Sequence, residues 1–224
     1  MSTTLIIPAA GRGLRFGGEI PKQLLPLSGR TVLAWSLSAF TGLVTDAIIA
    51  ISEDQRTATT QAVEKAGVPF PVRLITGGAT RQESVERALI AANGSTILIH
   101  DAVRPLIPRS CIEACLRTLE KDHAVVLAVP CTATVKRAQE QQVRETVARD
   151  DLWLAQTPQG FHREDGLAAF SRARAEGWVC SDDAQVLERA GYAVTIVPGD
   201  ARNLKITTRD DLILAEALMR VPHA

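Results

Sequence analysis

Short runs of uninterrupted apolar residues recur along this chain, and most are followed by a longer stretch with helical spacing. A strand that is apolar at every position, rather than every second one, must be covered on both faces. Strands of that kind spaced by helices fold as parallel βαβ units. The expected architecture is therefore α/β, with a mostly parallel sheet and helices on both faces. Strands are predicted at Thr4–Ile7, Asp46–Ile51, Val72–Ile75, Thr96–His100, Ala124–Val129, Ala193–Val197 and Leu204–Ile206. Helices are predicted at Thr31–Phe40, Gln55–Ala66, Arg81–Ala92, Ser110–Glu120, Glu164–Glu176, Asp182–Arg189 and Arg209–Met219. Several boundaries have a physical cause. The Thr208 hydroxyl can cap the last helix while Asp211 supplies a carboxylate three residues on. Gly67 and Gly191 can end helices in the left-handed conformation. Pro108 keeps the chain extended before the helix at Ser110.

One stretch breaks the rhythm. Residues 130–153, PCTATVKRAQEQQVRETVARDDLW, are polar and β-branched, with few large apolar anchors before Trp153. Thr134–Arg137 and Gln142–Val147 can pair as a hairpin around the intervening polar residues. Such a hairpin cannot fill a core alone, so we read it as an arm that packs on a second subunit, the alternative being a plain surface hairpin. The whole chain, with the arm at 130–153 as part of it, is expected to form one domain spanning residues 1–224. At 224 residues and 46% hydrophobic content the chain can bury a substantial core.

Charge and cysteine content exclude several classes of function. Twenty-five basic residues balance 25 acidic ones, which gives no reason to expect a nucleic-acid surface. No stretch approaches the length of a membrane span. The first residues lack the pattern of a signal peptide, so a cytoplasmic protein is expected. Cys111, Cys115, Cys131 and Cys180 form no CxxC pair and fit packing in a reducing compartment better than a disulfide framework or a metal cage.

The candidate site begins after the first strand, in PAAGRGLRFGG. Gly11 and Gly13 start a GxGxxG match that fails at Phe16, and no GK[ST] follows, so neither a dinucleotide fingerprint nor a P-loop is present. What remains is a run of small residues whose backbone amides can curl around phosphate oxygens. Arg12, Arg15 and Lys22 lie close by in sequence, and cations of this kind can neutralise charge on a phosphoryl group. The alternative is a tight surface turn with its cations in solvent.

PAAGRGLRFG followed by PKQ resembles the signature of sugar and polyol nucleotidyltransferases. Three further stretches, GGATRQESV at Gly77–Val85, HDAVRP at His100–Pro105 and LAQTPQGF at Leu154–Phe161, narrow the likeness. With NLKITTRDDL at Asn203–Leu212, the set resembles the 2-C-methyl-D-erythritol 4-phosphate cytidylyltransferase family over nearly the whole chain. The resemblance implies a Rossmann-like nucleotidyltransferase fold and a reaction of CTP with a polyol phosphate in the presence of magnesium. It implies that Arg15 and Lys22 stabilise the five-coordinate phosphorus. It places Ala10, Gly11, Gly13, Gly78, Ala79, Ser84, Asp101 and Lys205 around CTP, and Arg104, Thr134, Arg149, Thr157 and Ser181 around the acceptor. Arg149 is expected to reach across from the second subunit. Ser84 also lies near a helix start, where capping is the competing role.

Asp101 follows a strand, at the end of an open sheet where ligands bind. A carboxylate there amid phosphates suits magnesium, with a cap or an ion pair to Arg104 as the alternative. His100 points the other way on an extended strand and is read as structural. Departures from the family pattern are small. DAVR stands where DAAR is usual, Ser181 where threonine is commoner, and the GGEI insertion differs in composition from many relatives. Some relatives carry a fused cyclodiphosphate synthase domain, which is not expected here. Two rival readings stand beside this one: a cytidylyltransferase for ribitol 5-phosphate, and a nucleotide-binding module without turnover.

Overall fold

A computed structural model of the chain describes residues 2–11 and 20–221. Its strands are β1 (Thr3–Pro8), β2 (Pro26–Leu27), β3 (Arg30–Thr31), β4 (Asp46–Ile51), β5 (Val72–Thr76), β6 (Thr96–Ile99), β7 (Ala124–Pro130), β8 (Val135–Gln139), β9 (Gln142–Val147), β10 (Trp153–His162) and β11 (Val194–Pro198). Its α-helices are α1 (Val32–Ser38), α2 (Arg56–Ala66), α3 (Arg81–Ala91), α4 (Arg109–Leu119), α5 (Arg163–Ala175), α6 (Asp183–Ala190) and α7 (Arg209–Arg220).

The main sheet has the order β11-β7-β10-β6-β1-β4-β5. All neighbours run parallel except at β10, which is antiparallel to both β6 and β7. Alternation explains the continuous apolar runs. Leu5, Ile7, Ala47 and Ile49 face one way and pack on α1, α2 and α4, while Ile6, Ile48, Ile97 and Ile99 face the other way and pack on α3, α5 and α6. A third, smaller core gathers Leu27, Val32, Val103, Ile206 and Ala215 beneath α7. Cys111 and Cys115 sit in the first core, and burial pushes the Cys115 thiol up to about 12, which keeps it a neutral packing group.

The expected caps are present. Thr208 and Asp211 form a reciprocal capping box, and Gly67 and Gly191 end α2 and α6 at φ of 60° and 96°. Two expectations need correction. Leu204–Ile206 is not a strand: only the Ile206 amide pairs with a neighbour, Val103 O at 2.9 Å, and the segment is held instead by the buried side chain of Asn203. β10 is a central strand that the pattern does not announce. Its Gln156, Pro158, Gln159 and Gly160 argue against a strand, yet the register shifts between Ala155 and Gln159, so the proline needs no ladder bond. Both glutamines are buried because their amides hold neighbouring loops. Gly160 is required there: a Cβ would lie 2.7 Å from Leu98 Cδ2 and 2.8 Å from Leu119 Cδ1.

The arm forms as a separate antiparallel hairpin, β8–β9, turning at Glu140 and Gln141 with φ of 50° and 65°. Every residue from Lys136 to Thr146 is exposed.

Candidate active site

The site lies at the carboxyl ends of β1, β5 and β6. A first cavity is lined by Ala10, Gly11, Lys22, Gly78, Ala79, Ser84, Asp101 and Lys205, among others. Gly13 and Arg15 lie outside the described residues. Lys22 opens a one-turn 3-10 helix. Its neighbour Gln23, 3% exposed, donates to Ala9 O at 2.8 Å and to Gln55 Oε1 at 2.9 Å. Those bonds fix the turn against the end of β1 and so place Lys22 on the cavity wall.

The opposite wall is the N-terminus of α3. Thr80 caps it, accepting from Glu83 N at 3.1 Å. Ser84 therefore is not the cap. Its buried hydroxyl accepts from Gly78 N at 3.0 Å and donates to Thr80 O at 2.8 Å, tying the GGA turn to the helix. Both glycines answer to close approach. A Cβ on Gly77 would sit 2.7 Å from Ala10 Cβ, and one on Gly78 would sit 2.3 Å from Glu83 Cβ.

Asp101, 7% exposed, follows β6 and is ringed by cations. Lys205 Nζ is 2.8 Å from Oδ2, Arg104 Nε 3.6 Å from Oδ2, and Arg81 Nη2 3.5 Å from Oδ1. Burial opposes ionisation of Asp101, but Arg81, Lys205 and Arg104 together hold it well below the usual carboxylate range. Arg81 also makes a bidentate pair with the buried Asp183 at the start of α6, at 2.9 and 2.7 Å. Among the described residues, the four cations Lys22, Arg81, Arg104 and Lys205 line the two cavities against the carboxylates Asp101, Asp182 and the buried Asp183, leaving an excess of positive charge.

A second cavity adjoins the first and shares Arg81, Asp101 and Lys205 with it. It is also lined by Arg104, Thr157 and Ser181. The Thr157 hydroxyl is already engaged: it accepts from Asp101 N at 3.0 Å and pairs with His100 Nδ1 at 3.1 Å. His100 Nε2 pairs with Arg104 O at 3.0 Å. A carbonyl only accepts, so Nε2 carries the proton and Nδ1 accepts from Thr157. Burial lowers the His100 pKa to about 4, so a neutral His100 braces Asp101 from behind.

Thr134 and Arg149 lie on exposed stretches flanking the hairpin, and neither lines the two cavities. Arg149 Nη1 donates to Thr132 O within the arm. No cluster of three or more His, Cys, Asp or Glu residues among the described residues can cage a metal ion. Among the described residues, Asp101 is the one carboxylate lining the first cavity. That donor set suits magnesium, which binds through one or two carboxylates and otherwise through substrate phosphates and water.

A family model described as 2-C-methyl-D-erythritol 4-phosphate cytidylyltransferase matches residues 3–221. The chain belongs to this family. The cytidylyltransferase of Deinococcus radiodurans is 44% identical over 216 residues, covering 96% of this chain and 89% of that protein. That of Gloeobacter violaceus is 42% identical, covering 96% and 95%. Among solved structures, the cytidylyltransferase of Thermus thermophilus superimposes with a TM-score of 0.82 at 36% identity, covering 99% of this chain and all of that one. The 4-diphosphocytidyl-2C-methyl-D-erythritol synthase of Anaerococcus prevotii gives 0.86 at 28% identity, covering 98% and 96%.

Of the residues expected in a cytidylyltransferase site, the fold brings the described members of the CTP set and three of the acceptor set to two adjoining cavities. Gln23, Arg81 and Asn203 sit inside the motifs that carry the resemblance, but nothing local marks their roles. Asp183 reads as an ordinary acidic residue at a helix start. Only its 1% exposure and its partner 102 positions away make it part of the site.

Proposed function

We infer that the chain transfers CMP from CTP to 2-C-methyl-D-erythritol 4-phosphate, releasing pyrophosphate and forming the CDP-alcohol of non-mevalonate isoprenoid precursor synthesis. The observation that carries this reading is Asp101 ringed by Arg81, Arg104 and Lys205 where two cavities meet. Two phosphate-bearing substrates repel each other, and an excess of fixed positive charge at their junction offsets that repulsion.

An oxygen of the acceptor phosphate attacks the α-phosphorus of CTP. The bond to the bridging oxygen of the leaving group breaks, and its electron pair departs with pyrophosphate. A phosphate monoester is already largely deprotonated near neutral pH, so no general base is needed. Charge builds on the non-bridging oxygens and on the leaving group. Lys22 and Arg15 act there, binding the transition state more tightly than the ground state. Ala10, Gly11, Gly13, Gly78, Ala79 and Ser84 hold the nucleotide, with small residues letting the backbone approach the base. Asp101 and Lys205 lie at the phosphate end. Asp101 would hold Mg2+, which when bound neutralises phosphate charge.

Arg104, Thr157 and Ser181 receive the acceptor. Thr134 and Arg149 complete that subsite from the arm of a second subunit, in a cytoplasmic homodimer of single cytidylyltransferase domains spanning residues 1–224. The exposure of the hairpin from Lys136 to Thr146 supports the arm reading, as do exposed Trp153 and Leu154 at its base, 39% and 54% accessible.

The test is pyrophosphate release from purified protein with CTP and magnesium, comparing 2-C-methyl-D-erythritol 4-phosphate with ribitol 5-phosphate. Strong selectivity for the first is expected. Preference for ribitol 5-phosphate would move the assignment to another acceptor, and no release with either would make the chain a binding module.

A further inference from the structure

Asn203 is fully buried, yet it lies outside the regular elements and its Oδ1 has no partner among the described residues. A buried polar side chain in an irregular segment needs a reason. Its bonds supply one. Nδ2 donates to Thr157 O at 2.8 Å and to Gln156 Oε1 at 3.0 Å, both at the irregularity of β10. Its own carbonyl accepts from Arg104 Nη1 at 2.6 Å. Two residues on, Lys205 meets Asp101 at 2.8 Å. One residue further, Ile206 N bonds Val103 O at 2.9 Å, which fixes the far end of the segment. Thr157 in turn holds the Asp101 amide through its hydroxyl. The Asn203 side chain thus ties residues 203–206, which carry Lys205, to β10, whose Thr157 holds the Asp101 amide, while the Asn203 main-chain carbonyl receives Arg104 from the Asp101–Arg104 stretch.

We propose that Asn203 is a positioning residue for the transfer reaction, clamping residues 203–206 onto β10 so that Lys205 and Arg104 are aimed at Asp101. This rests on the function inferred above. Asn203 touches neither substrate in this proposal and acts through Lys205 and Arg104. Without the amide donor, the segment keeps its Val103 bond but loses its tie to β10, and the ammonium of Lys205 drifts from the junction of the cavities. A misplacement of about 1 Å can cost on the order of 100-fold in rate.

The experiment is a double-mutant cycle on kcat/KM with Asn203→Ala and Lys205→Ala, beside urea unfolding of all four proteins. Asn203→Ala is expected to lower kcat/KM about 100-fold in the wild-type background but only a few-fold when Lys205 is already alanine. Its stability loss should be equal in both backgrounds. Equal activity losses in both backgrounds would overturn the proposal, because a purely structural residue gives additive effects. If Asn203→Ala does not fold, Asn203→Ser, which keeps a shorter donor, takes its place. Unfolding by both would assign Asn203 to folding alone and also overturn it. The wild-type assay is read separately: if it shows no cytidylyl transfer, the function inferred above fails, whatever the cycle gives.

Discussion

Lys22 lines the first cavity from a turn that Gln23 pins to the end of β1. A fixed cation spends no reorganisation energy as charge develops on phosphorus. Lys22→Ala should therefore lower kcat by about 100-fold, near 3 kcal/mol, and leave CTP affinity little changed. Single-turnover and binding measurements separate the two, and an unchanged kcat would remove Lys22 from the reaction. His100 makes a different prediction. Its pKa falls from 6.5 to about 4 inside the protein, through burial. Above the unfolded value neither state binds the extra proton, so stability is full. As pH falls below it the unfolded chain is protonated first, and stability is lost progressively until the folded ring also titrates. The loss across that window is about 3 kcal/mol. Urea midpoints measured from neutral pH down to about pH 4.5 should fall, and a flat profile would mean that the ring titrates alike in the folded and the unfolded chain.

At the scale of elements, β10 and the arm show opposite relations between pattern and structure. The arm is legible because it lacks what a core element needs: between Pro130 and Trp153 there are few apolar anchors, and the hairpin is exposed from Lys136 to Thr146. It contributes little to either large core. If the arm builds the proposed dimer, replacing residues 136–146 by a short glycine link should leave a folded monomer, remove any dependence of the melting temperature on protein concentration, and abolish transfer. Sedimentation velocity beside the pyrophosphate assay tests this, and a fully active shortened monomer would show that no partner arm serves the site. β10 is illegible for the converse reason. Local propensity counts its glutamines, proline and glycine against a strand. The tertiary structure makes each of them fit, by a register shift, by buried amide bonds to neighbouring loops and by the tight contact at Gly160.

For the whole molecule, the cation ring around Asp101 means that the unliganded site already balances its buried carboxylate. Chelating magnesium should therefore leave the melting temperature of the free protein unchanged. CTP with magnesium at about 100 times its dissociation constant should stabilise the chain by about 2.7 kcal/mol, and chelation should remove most of that gain. Differential scanning calorimetry checks both, and a chelator-sensitive free protein would point to a resident metal. The sequence by itself determined the α/β class, the α-helices with their caps, the exposed hairpin and the motif residues that line the cavities. These are written in periodicity, in short-range turn chemistry and in contiguous motifs, all of which act over a few residues. Only the tertiary structure decided that β10 enters the sheet antiparallel, that residues 204–206 leave the ladder, and that Arg81 meets Asp183 while Asn203 meets Thr157. Those outcomes depend on partners 46 to 102 positions apart. Burying these polar groups costs free energy unless each is paired, so partners distant in sequence, not the local pattern, settle them.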